Sequence, residues 1–438
     1  MSRFYGMNEH IIREYARLIV RMGINVQPGQ EVVIKCPVEH YEFARLLIEE
    51  SYVAGAAEVI MQWSDNRDLR LFYENVSDQV LSTVPQWKAE SYNYYAKRGA
   101  GFISISGNDP ESFKGVDPRK MQLRSVAMDK AVEDYNKLLM ASEVPWTVAA
   151  VPQKQWAKKV FPGCSEEEAM QKLWKKILQA VRIGGQDMEQ RDAWDDGQGV
   201  VRSTGCGQDA VQAWRTHDTF LKEKCQALNH LAFTKLHYKN SLGTDFTVGL
   251  VKNHIWEGGS ETAGNGVVFE ANIPTEEIFT MPDKNVAEGT LVGALPLSFR
   301  GSLIKNFTLT FHEGQVVDYT AEEGLESLKT LLESDEGSCR LGEVALVPYS
   351  SPISRMKTLF YNTLFDENAS CHFALGECYP TTVKGGTKMS EEELSAIGAN
   401  SSMNHVDFMV GTEDLTITGI KENGEEVVLF EKGNWSIM

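Results

Sequence analysis

The residues best suited to metal binding or catalysis in this 438-residue chain are carboxylates and imidazoles in its second half. They lie beside apolar segments, where isolated charges are unexpected. Carboxylate oxygen and imidazole nitrogen are ligands that hard-to-borderline ions such as Zn²⁺, Co²⁺, Mn²⁺ and Mg²⁺ take in proteins. We therefore predict that these side chains converge on a divalent-metal site. The candidates are Glu277, Glu343, Glu367, His372, His405 and Asp407.

The spacing of the candidates constrains their local structure. His405 and Asp407 are two residues apart, so they share one face if the segment is extended. Most H-x-D pairs, however, are explained by a solvated strand end and bind no metal. Glu367 and His372 are five residues apart, which neither a helix nor a strand aligns, so a turn must separate them if both bind metal. Taken singly, the two upstream glutamates are typical of a charge at a helix start or a strand edge.

Other catalytic chemistries lack their motifs in this sequence. The serine-hydrolase pattern G-x-S-x-G is absent, and so is the zincin helix H-E-x-x-H, since no second histidine follows His312-Glu313. Cys371 is adjacent to His372, and neighbours on an extended chain point to opposite faces, so a cysteine–histidine nucleophilic pair is disfavoured. The chain has neither G-x-G-x-x-G nor a P-loop, which argues against nucleotide binding.

Net charge and cysteine usage limit the partners and the location that we expect. The 61 acidic residues outnumber the 43 basic ones and give a formal charge of −18, so no basic stripe is available for nucleic acid or an anionic membrane. Seven cysteines occur without a C-x-x-C pair, and we find no apolar signal region or membrane-length run. We expect a cytoplasmic protein with free thiols that binds neither nucleic acid nor membranes.

The distribution of apolar segments predicts two domains. Residues 1–230 alternate helices with apolar strands, the pattern of an α/β domain with a largely parallel sheet. The strands expected there are residues 31–36, 58–63, 101–106 and 146–151. Residues 231–438 are strand-rich and predict a mainly antiparallel α+β domain that would carry the metal site. The strands expected there are residues 266–270, 291–297, 307–311, 316–319, 343–348, 407–410, 415–420 and 427–430. The Gly/Asp/Gln-rich residues 184–209 indicate a surface loop or insertion.

Four segments, taken in order, resemble the motifs of a known family. They are Asn272-Ile273-Pro274-Thr275-Glu276-Glu277, Leu341-Gly342-Glu343, residues 364–376 and residues 405–411. Their order and spacing are similar to those of the thermophilic aminopeptidase family of metallopeptidases, which includes aminopeptidase T, aminopeptidase S and PepS-like proteins. The α/β first half also fits that family, whereas the stretch at 184–209 looks longer than usual.

The resemblance implies roles for individual residues. Tyr379 matches a tyrosine beside the family's site, where it would donate a hydrogen bond to a developing oxyanion; the alternative is a packed aromatic ring. Glu277 or Glu343 would accept the proton of the attacking water. Glu276, the neighbour of Glu277, is the alternative ligand at that position. The metal ligands implied are Glu277, Glu343, Glu367, His372, His405 and Asp407.

The function expected from the sequence is a metal-dependent aminopeptidase that hydrolyses the N-terminal peptide bond of short peptides through a metal-activated water at a two-metal site. The resemblance implies two divalent ions (Zn²⁺, Co²⁺, Mn²⁺ or Mg²⁺), peptide substrates with a free amino terminus, and a homodimer. The alternative is a non-catalytic metal- or peptide-binding protein on the same fold. A third reading is a small-molecule enzyme that uses its α/β domain. Metal analysis combined with peptide turnover before and after chelation separates the three.

Overall fold

The chain folds as two units, each with its own sheets. The first unit comprises Met1–His217 and Ser260–Pro274, and the second comprises Asp218–Gly259 and Thr275–Met438. The computed structural model describes residues 4–183, 209–299 and 302–437. The insertion expected at residues 184–209 lies outside the described residues apart from Asp209, and the domain limits 1–230 and 231–438 stay a prediction.

The strands and helices of the described residues are numbered in chain order. The strands are β1 (Glu31–Pro37), β2 (Glu58–Ser64), β3 (Gly101–Ser106), β4 (Trp146–Ala150), β5 (Lys235–Lys239), β6 (Asp245–Leu250), β7 (Glu261–Thr262), β8 (Val268–Phe269), β9 (Asn272–Ile273), β10 (Ile278–Thr280), β11 (Pro282–Val292), β12 (Leu297–Phe299), β13 (Ser302–Ile304), β14 (Thr308–His312), β15 (Gln315–Thr320), β16 (Leu341–Leu346), β17 (His372–Gly376), β18 (His405–Met409), β19 (Thr416–Ile420), β20 (Glu426–Glu431) and β21 (Asn434–Trp435). The α-helices are α1 (Glu9–Leu18), α2 (Tyr41–Ala54), α3 (Asn66–Asn75), α4 (Asp78–Leu81), α5 (Gln86–Lys97), α6 (Pro118–Ala131), α7 (Glu133–Met140), α8 (Lys154–Val160), α9 (Glu166–Ala180), α10 (Ala210–Leu231), α11 (Leu325–Leu332), α12 (Pro352–Arg355), α13 (Thr363–Asp366) and α14 (Glu391–Ala396). Among the described residues, no helix is long and apolar enough to cross a membrane.

The first unit is built on a five-stranded sheet in the order β2-β1-β3-β4-β9, and every neighbouring pair is parallel. Val33 of the central β1 pairs with Ile60 on one side and Phe102 on the other. Parallel neighbours need crossover connections, and α2 provides the first of them. It ends at Gly55, whose φ of 106° lets the chain reverse into β2. The predicted α/β unit with a largely parallel sheet is confirmed.

The second unit contains antiparallel sheets. Its larger sheet has eight strands in the order β15-β14-β11-β6-β5-β19-β20-β21, and its smaller sheet has four in the order β10-β16-β17-β18. The predicted antiparallel α+β architecture is therefore confirmed. The single strand expected at residues 291–297 is wrong, because β11 ends at Val292 and β12 begins only at Leu297. Pro296 lies in the gap and has no N–H for a strand ladder.

One face of the four-stranded sheet contributes to the main core of the second unit. Phe373 of β17 lies between two aromatic rings of the eight-stranded sheet, with centroids 5.0 Å from Tyr238 and 5.4 Å from Phe246. Val344 and Phe408, on the neighbouring strands, belong to the same buried cluster. This packing fixes the small sheet in place and determines which side chains its opposite face presents.

Candidate metal centre

Strand pairing brings most of the predicted ligands to one face of the four-stranded sheet. Residues that pair directly across antiparallel strands share a face. The rows on the face away from the core are Phe279–Ala345–His372–Met409, Glu343–Ala374–Asp407 and Gly376–His405. Small residues, Ala345, Ala374 and Gly376, therefore alternate with the ionisable ones. The face is thereby lined by carboxylates and imidazoles separated by small side chains.

A β-bulge in β16 aims Glu343 at this face. Leu341 and Glu343 are two positions apart, yet they pair with adjacent residues of β17, so Gly342 is an extra residue in the ladder. Leu341 consequently faces the apolar core while Glu343 faces the histidines. A Cβ atom at position 342 would lie 2.1 Å from the carbonyl oxygen of Glu377, so the close approach requires glycine.

His372 is almost completely buried and faces two carboxylates. Its Nε2 lies 3.1 Å from Glu277 Oε2 and 3.4 Å from Glu343 Oε1. Its Nδ1 lies 3.1 Å from the carbonyl oxygen of Ser370, so Nδ1–H donates there and directs Nε2 towards the carboxylates. Burial opposes the charged imidazole, but the hydrogen bonds with Glu277 and Glu343 raise the pKa of His372 well above its usual range. A cation bound at Nε2 would be stabilised by the same two carboxylates.

His405 repeats this arrangement at the next strand. Its Nε2 lies 3.3 Å from Asp407 Oδ1 and 3.7 Å from Glu343 Oε2. Its Nδ1–H donates to the carbonyl oxygen of Glu377 at 2.8 Å. Burial again opposes the charge, while Asp407 and Glu343 raise the pKa of His405 to about 9. Both imidazoles are therefore oriented by a backbone carbonyl on Nδ1 and face acidic oxygens with Nε2.

The potential ligand atoms form two groups that share one residue. Within each group the atoms lie within 4.8 Å of one another. The groups are Glu277–Glu343–His372 and Glu343–His405–Asp407. Glu343 belongs to both, and its two carboxylate oxygens face different histidines. Five of the six predicted ligands are thus brought together.

Glu367, the sixth predicted ligand, belongs to neither of these groups, but it lies close enough for their charges to affect its pKa. Burial, together with the negative charges of Glu277 and Asp407, raises the pKa of Glu367 well above its usual range. The turn expected between Glu367 and His372 is the 3₁₀ helix Glu367–Ala369, which precedes β17. The structure therefore places Glu367 beside the site while leaving its carboxylate outside both groups.

Asn368 lies in the 3₁₀ helix Glu367–Ala369, and its structural role is not evident from the sequence. It is fully buried, its side-chain oxygen accepts the backbone N–H of Glu276 at 2.7 Å, and its side-chain amide donates to Glu367 Oε1 at 3.4 Å. It thereby ties the segment that carries Glu277 to the segment that carries Glu367. Glu276, the fallback ligand, is outside both groups of ligand atoms, so the geometry favours Glu277.

The donor set fits a divalent cation. Burial raises the pKa of Glu343, and the charges of Glu277 and Asp407 add to that effect, as expected where carboxylates are crowded together. Asp407 Oδ1 is buried and accepts no hydrogen bond from the described residues, although it lies 3.3 Å from His405 Nε2. Buried charges of one sign are costly unless an opposite charge compensates them. Carboxylate oxygens and imidazole Nε2 atoms are the ligands that zinc-like ions bind.

Tyr379 lies at the edge of this face. Its ring centroid is 4.8 Å from the ring of His405 and 6.0 Å from that of Phe279. Burial, followed by the negative charges of Glu343 and Asp407, raises the pKa of Tyr379, so the hydroxyl keeps its proton. Cys371, in contrast, donates its thiol to the carbonyl oxygen of Val347 and belongs to the core cluster on the opposite face.

The acidic, histidine-containing centre on the antiparallel sheet has the donor set of a metal-binding protein, and comparison with known proteins identifies the family. The family described as Thermophilic metalloprotease (M29) matches residues 8–203 and 194–435. The chain belongs to this family.

Named relatives agree with that assignment over almost the full length. The chain is 42% identical to "Aminopeptidase AmpS" of Bacillus subtilis (strain 168), covering 97% of this chain and 98% of the relative. It is 37% identical to "Aminopeptidase T" of Thermus aquaticus, again over 97% and 98%. The solved structure described as "Wild-type AmpT from Thermus thermophilus" superimposes with a TM-score of 0.87 at 34% identity, covering 98% of this chain and 100% of that one.

Proposed function

We propose that this protein is a metal-dependent aminopeptidase that removes the N-terminal residue from short peptides with the help of two divalent ions. The observation that carries the two-ion proposal is the position of Glu343, which is shared by both groups of ligand atoms. Its two oxygens face different histidines, so one carboxylate could contribute an oxygen to each of two neighbouring ions. The named aminopeptidases among its relatives support the activity.

The ligand set follows from the two groups. His372 and Glu277 would hold a divalent ion in one group, and His405 and Asp407 would hold one in the other, with Glu343 available to both. Glu367 would complete the set with a further carboxylate, since it is buried close enough to Glu277 and Asp407 for their charges to help raise its pKa. The metal is drawn from Zn²⁺, Co²⁺, Mn²⁺ and Mg²⁺, because oxygen and imidazole ligands suit all four.

Divalent ions in such a site lower the pKa of a bound water and polarise the scissile carbonyl. Glu277 is the better proton acceptor for that water, because both oxygens of Glu343 already face histidines. Its carboxylate would take the proton and return it to the leaving amine. Glu343 keeps the alternative role of acceptor only if it releases one of those contacts.

Tyr379 would act on the charge that develops at the carbonyl oxygen. Its hydroxyl stays protonated at neutral pH because burial and the neighbouring carboxylates raise its pKa. A protonated hydroxyl next to His405 would donate a hydrogen bond to the oxyanion, and this contact grows stronger towards the transition state. The charge of the site would also attract the ammonium group of a free peptide terminus, in keeping with the net charge of −18.

Two further properties belong to the proposal. The six described cysteines, Cys36, Cys164, Cys225, Cys339, Cys371 and Cys378, carry free thiols, which supports a reducing, cytoplasmic location. We also propose a homodimer, as the resemblance to the family implies. Light scattering at micromolar concentration tests it, and a monomer there would contradict it.

Chelation tests the proposed function directly. The protein is assayed for metal content and for hydrolysis of dipeptides and aminoacyl p-nitroanilides before chelation, after it, and after each metal is restored. We expect turnover to disappear with the metal and to return with it. Full activity in metal-free protein would contradict the proposal, and bound metal without any peptide turnover would favour a non-catalytic binding protein.

A further inference from the structure

A carboxylate outside the proposed metal centre anchors the segment that leads into His405. Asp335 lies between α11 and β16 and accepts backbone N–H groups from its own turn, Gly337 at 2.9 Å and Ser338 at 2.9 Å. It also accepts the Ser402 hydroxyl at 2.9 Å and the Met403 backbone N–H at 2.8 Å. One carboxylate thus joins two segments that are far apart in sequence.

A continuous path of hydrogen bonds runs from this carboxylate to the His405 ring. The backbone N–H of Asn404 donates to Ser402 Oγ at 3.1 Å, and the carbonyl of Asn404 accepts the N–H of Glu377 at 2.7 Å. The carbonyl of Glu377 then accepts His405 Nδ1–H at 2.8 Å. The backbone N–H of Ser402 also donates to the Glu377 carboxylate, which closes the network.

His405 needs such support because the sheet holds it weakly. It is the first residue of β18, which is an edge strand, and its partner Gly376 is the last residue of β17. The connection between these strands, residues 377–404, is long, and fixing its end costs conformational entropy. Few ladder contacts are therefore available at this position to set the direction of the imidazole.

The charge of Asp335 suits an anchoring role. Burial alone would raise the pKa of its carboxyl, but the hydrogen bonds from Met403, Ser402 and Ser338 outweigh burial and lower it. The group is therefore an anion at neutral pH, and hydrogen bonds to an anion are stronger than those between neutral groups.

We propose that Asp335 is a positioning residue of the metal centre, which orients His405 through Ser402 and the carbonyl of Glu377. This inference rests on the proposed function, since it assigns to His405 the role of a ligand. Residues that orient a metal ligand from behind typically affect metal affinity by about 10–100-fold. A carboxylate that merely caps its own turn would affect stability instead.

The test measures metal binding as well as activity. Asp335→Asn removes the anion, and Ser402→Ala removes both hydroxyl links in the path. Dissociation constants for Zn²⁺ are measured by competition with a chromophoric chelator, and the visible spectrum of the Co²⁺-loaded protein reports ligand geometry. We expect both variants to bind Zn²⁺ about 10–100-fold more weakly and to change the Co²⁺ spectrum. The double variant should lose little more than either single one, because the two residues act in one path.

Asp414→Asn is the matched control. Asp414 is another carboxylate of the second unit that joins two loops, accepting the Ser241 N–H at 2.8 Å and the Thr412 hydroxyl at 2.7 Å. Its variant should keep the Zn²⁺ affinity and the Co²⁺ spectrum of the wild type. If Asp335→Asn does not accumulate as folded protein, Ser402→Ala carries the test alone.

The possible failures are distinguishable. Wild-type protein that binds none of Zn²⁺, Co²⁺, Mn²⁺ and Mg²⁺ would overturn the proposed function itself; if it binds Mn²⁺ or Mg²⁺ in place of Zn²⁺, the affinities of the variants are compared for that ion. Wild-type binding with unchanged affinity and spectrum in Asp335→Asn and Ser402→Ala would overturn only the positioning role. An equal loss of affinity in Asp414→Asn would also overturn the positioning role, because it would show that the loss comes from general destabilisation of the protein.

Discussion

His372 and Phe373 are adjacent on β17, both are almost completely buried, and they face opposite sides of the same sheet. Phe373 packs against Tyr238 and Phe246, and burial of a side chain of this size contributes about 1.5–3 kcal/mol. His372 faces Glu277 and Glu343, whose burial as charged groups is unfavourable without a compensating cation.

The two faces of this sheet therefore have different roles, one in stability and the other in metal binding and catalysis. The core face stabilises the fold through apolar contacts. The opposite face carries ionisable groups that the core face holds close together, in a geometry that those groups would not adopt by themselves. Substitutions on the two faces should therefore have different signatures, and four predictions follow from that contrast, beginning with the largest effect.

The largest effect is expected for His372→Ala. The substitution removes the imidazole shared by the contacts with Glu277 and Glu343, so we expect near-complete loss of peptide hydrolysis and a lower metal content per folded molecule. Metal analysis and kcat/KM for an aminoacyl p-nitroanilide provide the check. Unchanged turnover would show that His372 is not part of the site. The proposed difference in role between His372 and Phe373 would then be wrong.

Tyr379→Phe should lower kcat by about 10²–10³-fold, because it removes one hydrogen-bond donor to the oxyanion while keeping the ring. The contacts of the ring with His405 and Phe279 remain, so metal content and thermal stability should match the wild type. Steady-state kinetics and calorimetry measure both. A loss of stability with kcat retained would show that Tyr379 is a packed aromatic residue.

Phe373→Ala should act on the fold. We expect it to lower the free energy of unfolding by about 3–5 kcal/mol, because it leaves a cavity between Tyr238 and Phe246. Phe373→Leu is the control and should cost less, since it fills more of that volume. Denaturant unfolding of the metal-free protein measures the difference, and activity per folded molecule should be retained. A stable Phe373→Ala variant without activity would contradict the division between the faces.

The smallest effect is a pH dependence confined to the ionisable face. Asp407 and Glu343 raise the pKa of His405 in the metal-free protein to about 9, against the effect of burial. Below that pH an incoming ion must displace the proton of His405, so metal affinity should rise as the pH is raised from 6 to 9. Chelator competition across this range measures it. An affinity independent of pH would show that His405 is not a ligand.

Much of the architecture could be predicted because it depends on local patterns. Apolar strands that alternate with helices in the first half indicated the parallel sheet, and the strand-rich second half indicated antiparallel sheets. Strand β17 is not evident from the sequence, because five continuously buried residues show no periodicity that separates a strand from other buried segments. The candidate residues were found from their types and from the order of their motifs.

The face that each residue occupies depended on tertiary structure. Alternation along β16 would place Leu341 and Glu343 on the same side, and only the bulge at Gly342 separates them. The choice between Glu276 and Glu277 likewise depends on the folded structure, which places Glu277 Oε2 3.1 Å from His372 Nε2 and leaves Glu276 outside both groups of ligand atoms.

By itself, the sequence determined which side chains are available for chemistry, because residue type sets which ions and protons a group can bind. Only the tertiary structure decided which of them meet, because pairing between strands far apart in the chain sets register, and register sets direction. It also supplied the partners behind the imidazoles, the carbonyls of Ser370 and Glu377. Backbone carbonyls are common to every residue, so no sequence pattern marks the ones that orient a ligand.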